Sequence, residues 1–147
     1  MHKLFISFVI ASTLGLSACA TSIVEPFSES ISYEGLYLRG VFTWWEADPK
    51  YKLLKVANVR YATSIKLIAD GQPYDFKFAD ADLTPGLNCG YLDEERDKVL
   101  SLDLPVKSSC ETSDENFRFT PIETGVYEFT IDFSVPSLPI ASVRRVD

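Results

Sequence analysis

The sequence predicts an all-β domain, an antiparallel β-sandwich of about seven or eight short strands. Three observations carry that prediction. First, two runs alternate at period 2, as strands with one buried face do: Tyr74, Phe76 and Phe78 against Asp75, Lys77 and Ala79, and Tyr127, Phe129, Ile131 and Phe133 against Glu128, Thr130 and Asp132. Second, turn-forming clusters recur along the chain at Asp48-Pro49, Asp70-Gly71-Gln72-Pro73, Pro85-Gly86 and Asn88-Cys89-Gly90. Third, no long amphipathic helical period is present. An open barrel shares these features, and strand counting alone does not separate the two.

The N-terminus is predicted to lie outside the fold. Met1-His2-Lys3 is a short basic start, Leu4 to Leu16 is an apolar run too short to span a bilayer as a permanent helix, and Leu16-Ser17-Ala18-Cys19 follows. These residues resemble a bacterial lipoprotein signal, which implies removal of residues 1–18 and lipidation of Cys19. Ala20 is not the aspartate associated with inner-membrane retention, so the expected location is the outer membrane, with a lipid anchor and the domain facing either the periplasm or the surface. Residues 19–32, small and polar with one proline, read as a tether. Residues 33–147 form the sandwich domain.

Within that domain Tyr33 to Phe42 is the first predicted strand, followed by a turn at Glu46-Ala47-Asp48-Pro49 and strands over Tyr51 to Val56 and Val59 to Ile68. The turn at Asp70-Gly71-Gln72-Pro73 has the spacing of a hairpin leading into Tyr74 to Ala79. Asp80 to Asp97 reads as a long irregular segment whose charged end is a solvated face or a helical turn. Val99 to Val106 reads as an edge strand interrupted by Pro105, and Ser108 to Glu115 as a polar loop. Asn116 to Thr120, Val126 to Phe133 and Ser137 to Val146 complete the set.

Composition excludes several chemistries. Removal of residues 1–18 takes away the single histidine, His2, so imidazole bases, Ser–His and Cys–His nucleophile pairs and histidine metal centres are ruled out of the domain. No CxxC pair is present, and no metal or other cofactor is expected. With 21 acidic against 14 basic residues and a net charge of −7, the chain lacks the basic footprint of a nucleic-acid partner. Of three cysteines, lipidation of Cys19 leaves Cys89 and Cys110 in an oxidising compartment, where a disulfide would contribute about 3 kcal/mol. Carboxylate pairs such as Asp80 with Asp82 and Glu94 with Glu95 read as solvated loop residues. The domain is expected not to be an enzyme.

Three segments carry a resemblance to a known family. LYLRGVFTWW (Leu36 to Trp45), YDFKFADAD (Tyr74 to Asp82) and NFRFTPIETGVYEFTIDF (Asn116 to Phe133) resemble, in order, strand motifs of starch- and glycogen-binding carbohydrate-binding modules, the type found beside catalytic domains in pullulanases and amylases. The resemblance implies an immunoglobulin-like sandwich and a sugar site with Trp45 as aromatic platform, Trp44 beside it, and Lys77 and Asn116 as polar contacts. Sugar rings present flat C–H faces and hydroxyls, so such a site needs an aromatic plane flanked by a few fixed hydrogen-bonding side chains. Thr43 stands where the family often has Asn, and Leu83 lies nearest the position of its second tryptophan. In a strand, adjacent residues face opposite ways, so one of Trp44 and Trp45 could lie in the core and the other outside. The implied function is a lipid-anchored, non-catalytic domain holding an α-glucan or related polysaccharide. The alternative is an assembly lipoprotein that offers the sandwich, by edge-strand pairing, to a partner protein in an envelope complex.

Overall fold

Ten strands succeed one another between Tyr37 and Arg145 in the computed structural model, which describes residues 30–111 and 114–147. They are β1 (Tyr37–Gly40), β2 (Leu54–Ala57), β3 (Arg60–Leu67), β4 (Tyr74–Ala79), β5 (Asn88–Tyr91), β6 (Val99–Leu100), β7 (Val106–Ser109), β8 (Phe117–Phe119), β9 (Gly125–Asp132) and β10 (Ile140–Arg145). One helical turn, α1 (Glu94–Asp97), and two 3-10 turns, Val41–Thr43 and Pro49–Tyr51, complete the described structure. The signal and lipidation site expected at residues 1–19 lie outside the described residues.

The strands form two layers. In the first, β4 is central: β1 pairs along one edge, and β5 and β8 share the other, β5 at Phe78 and Ala79 and β8 from Tyr74 to Phe76. The second layer runs β2-β3-β9-β10-β7. Pairing of Gly90 with Ser109 and Tyr91 with Ser108 links β5 to β7 and joins the layers along one side. The fold is therefore all-β and sandwich-like, as the alternation predicts. The one parallel pairing among the described strands is β6 with β8.

Period-2 burial explains how the layers meet. Along β9 every second residue is buried, putting Tyr127, Phe129 and Ile131 inward. Phe76 and Phe78 of β4 and Phe117 and Phe119 of β8 face them, with the Phe76 and Phe129 rings 4.7 Å apart at 71°. Edge-to-face contacts of this kind add to the area term that drives burial. The Cys89–Cys110 disulfide is formed and ties β5 to the segment following β7.

Five local expectations are corrected. The turn at Asp70 to Pro73 does not close a hairpin: β3 belongs to the second layer and β4 to the first, so the connection crosses between sheets. The aromatic face of β4 has to oppose β9 across the core, which in-plane pairing with β3 would prevent. The strand expected over Tyr33 to Phe42 narrows to Tyr37–Gly40, because the chain turns at Gly40 into the first 3-10 turn; likewise Tyr51 ends the second 3-10 turn, and β2 starts at Leu54. The segment over Asp80 to Asp97, read as irregular, contains β5. Its Asn, Cys and Gly have low strand propensity, but ladder bonds on both sides and the disulfide override it. Lastly, Val99 to Val106 is not one strand. Asp103 takes a left-handed conformation at φ 61° with its N–H donating to the Val143 carbonyl, and this splits the run into β6 and β7.

Candidate functional site

The outward face of the first layer is where the sequence-predicted residues gather. Alternation sends Leu38 of β1 and Phe76 and Phe78 of β4 into the core and leaves Arg39 and Lys77 on the other side. The antiparallel register sets these two directly opposite one another. An outward face normally leaves such cations in water, yet Arg39 is 8% and Lys77 5% exposed. They are covered by three segments that fold over the sheet: the turn after β1, the loop after β4, and the residues just before β8.

Between these segments lies a cavity of about 230 Å³ lined by Arg39, Trp45, Lys77, Leu83, Asp114 and Asn116. The structure thus brings Trp45, Lys77 and Asn116 together from positions far apart in sequence. Trp44 is not among the lining residues and is 88% exposed. Neither tryptophan is a core residue, which corrects the expectation from strand alternation. The reason is the turn that carries them. Gly40 O accepts from the Trp45 N–H at 2.9 Å, and Thr43 Oγ1 both accepts from the Gly40 N–H and donates to the Gly40 carbonyl. The turn then ends on two successive left-handed residues, Trp44 at φ 53° and Trp45 at φ 64°.

Left-handed backbone is uncommon for bulky side chains and is disfavoured by crowding between Cβ and the carbonyl oxygen. Among the described residues, four non-glycine positions have positive φ: Trp44, Trp45, Leu83 and Asp103. Three of them border this cavity or adjoin a residue that does. Strain of this type persists only where surrounding contacts over-determine it, and it concentrates at binding sites.

The polar groups are set by buried contacts. Lys77 Nζ donates to Asn88 Oδ1 at 2.9 Å. Burial pushes the Lys77 ammonium below its ordinary pKa; the Asp114 carboxylate opposes this, the Arg39 guanidinium adds to it, and Glu115 opposes it more weakly. Asn116 Oδ1 is sealed from solvent with no hydrogen-bond donor among the described residues. Buried acceptors are nearly always satisfied, so this one is an energetic cost carried at the edge of the cavity. Gly90 on β5 holds the segment in position: a methyl group there would overlap the Glu115 carbonyl, so β5 and the residue before Asn116 approach closely because position 90 has no side chain.

Sequence reasoning missed Arg39, Asn88 and Asp114. Arg39 occupies an outward position in LYLRG, but its meeting with Lys77 depends on the β1–β4 register. Carboxylates farther along the chain serve local structure: Asp80 Oδ1 accepts the Thr84 N–H at 2.8 Å, and Glu94 of α1 pairs with Lys98. Among the described residues, no group of three or more acidic, cysteine or histidine side chains is placed to hold a metal ion.

No family model matches the chain, and no curated protein matches it. A solved structure described as "Ligand induced structure of AmyP-SBD" is similar to it, with a TM-score of 0.51, 16% identity, and coverage of 95% of this chain and 97% of that one. At this identity the likeness is one of fold.

The close approach at Gly90 yields a prediction. Gly90→Ala should destabilise the domain by about 1–3 kcal/mol, the usual cost of overpacking, and move the Asn116 side-chain amide resonances. Urea unfolding and an amide spectrum check it; unchanged stability with unmoved Asn116 signals would contradict the packing described.

Proposed function

We propose that this chain is a lipid-anchored, non-catalytic domain that binds an α-glucan or a related polysaccharide through the outer face of its first layer. The observation that carries the reading is the convergence of Trp45, Lys77 and Asn116 on one open cavity. An indole offers apolar contact to the C–H face of a sugar ring, and the Lys77 ammonium and the Asn116 side-chain amide supply polar groups beside it. The similarity in fold to AmyP-SBD, a starch-binding domain, supports the same reading.

Size bears on the mode of binding. Pockets that engulf a whole small molecule run to about 300–1,000 Å³, and this cavity is smaller, which favours gripping part of a long chain. Glycoside hydrolysis by the common route needs two carboxylates flanking the bond, and the cavity is lined by one, Asp114. Docking of a partner protein by strand addition has less support. The exposed edge strand β2 carries a bulge between Lys55 and Ala57, and both a bulge and an edge lysine discourage pairing with a further strand.

Two measurements test this. By calorimetry, maltoheptaose should bind the intact domain, and Trp45→Ala should weaken it about tenfold or more, equivalent to about 1.4 kcal/mol, while Leu83→Trp should tighten it by supplying a second plane. Absence of heat with the unaltered domain would remove the sugar reading. For the anchor, a clickable palmitate analogue should label the full chain in cells and partition it with outer membranes, and Cys19→Ser should abolish both. Labelling that survives this substitution, or recovery with inner membranes, would contradict the localisation.

A further inference from the structure

Arg39 lines the cavity, and its guanidinium reaches both of its walls. Nε donates to the Trp45 carbonyl at 2.6 Å, and Nη1 donates to the carbonyls of Asp80 and Ala81 at 2.7 and 3.1 Å. Trp45 belongs to the turn after β1, and Asp80 and Ala81 open the loop that leads to Leu83. These two segments are remote in sequence, and each includes a residue held in left-handed backbone. The loop is closed on itself, by Asp80 N–H to the Leu87 carbonyl and by Thr84 N–H to Asp80 Oδ1. Those bonds fix its shape without fixing its distance from the tryptophan.

The chemistry of the side chain suits that task. A guanidinium is a planar fork whose donors diverge at fixed angles, so one group can hold two backbone segments at a set separation; an ammonium is a point donor on a flexible stem. Fixing a sheet by itself would not call for a buried cation, since a hydrophobic residue of similar size is generally at least as stabilising. Arg39 is buried, the Trp45, Asp80 and Ala81 groups it donates to are neutral carbonyls, and it lies opposite Lys77 in the ladder, where a second cation is unfavourable.

We propose that Arg39 is a positioning residue that sets the width of the cavity by clamping the Trp45 turn to the Leu83 loop, so that the indole is presented at a fixed distance from the opposite wall. This inference rests on the sugar-binding reading for its consequence, but its structural content is testable without a ligand. Loss of the fork frees the Trp45 carbonyl, allows the strained turn to relax and lets the indole swing away from Leu83. Lysine at this position keeps the charge and loses the second arm, so it should not restore the function.

The test uses the chain with Trp44→Phe, which leaves Trp45 as the single tryptophan. In that background Arg39→Met and Arg39→Lys should each raise acrylamide quenching of Trp45 about twofold and lower its fluorescence anisotropy. Both should weaken maltoheptaose binding about tenfold. Arg60→Met, which removes an exposed ion pair with Asp132 on the other layer, serves as a control and should change neither. Thermal melts identify any variant that has unfolded; Arg39→Gln then replaces it, retaining donors to one wall. Unchanged quenching in folded Arg39 variants, or full rescue by lysine, overturns the clamp. If the unaltered domain binds no maltoheptaose while Arg39 variants still loosen Trp45, the sugar reading fails and the clamp stands.

Discussion

The pairing of β1 with β4 is the constraint on which the rest of the site depends. β4 is bonded along both edges, so its side chains have two fates: Phe76 and Phe78 enter the aromatic core, and Lys77 emerges on the opposite face. The register with β1 places Arg39 beside Lys77, and a slip of one residue would send Leu38 outward and Arg39 into the core. Because that alternative buries a cation among phenylalanines, the core enforces the register, and the register assembles the site. The core packing and the cavity are linked here through a single strand.

The cavity is formed above the sheet by segments whose conformations are individually unfavourable. Two adjacent tryptophans in left-handed backbone and a leucine in the same state are held by specific contacts: Thr43 with Gly40, and Arg39 with Trp45, Asp80 and Ala81. The undonated Asn116 Oδ1 and the desolvated Lys77 ammonium are further costs at the same place. Strain of this kind persists only where the surrounding contacts over-determine it, so the cavity is held in shape by its own walls. The second layer differs. Its outward face pairs Arg60 with Asp132 and Arg144 with Glu128, and these cross-strand ion pairs meet their charges locally.

Much of the framework was legible in the sequence because it depends on local alternation. β4 and β9 were readable to within a residue or two from Tyr74 to Ala79 and from Val126 to Phe133, and the cysteine count pointed to the disulfide that is present. Pairing was less legible. The turn at Asp70 to Pro73 has hairpin chemistry, but its flanking strands lie in different layers, a choice made by the core. β5 was hidden because Asn88, Cys89 and Gly90 are poor strand formers held by neighbours on both sides. Trp45, Lys77 and Asn116, singled out by the resemblance of short motifs, all line one cavity. Arg39 was not legible, since its role arises from a register and from carbonyls some 40 residues distant, contacts that no local pattern records.

The most direct test of the central claim is a titration of the isotope-labelled domain with maltoheptaose, followed by amide and side-chain spectra. The account predicts shifts confined to the Trp45 indole N–H, the Asn116 side-chain amide, Lys77 and the Leu83 loop, with the Arg60 to Arg144 face of the second layer unmoved. Shifts centred on that second-layer face, or a spectrum unaltered at millimolar sugar, would contradict it.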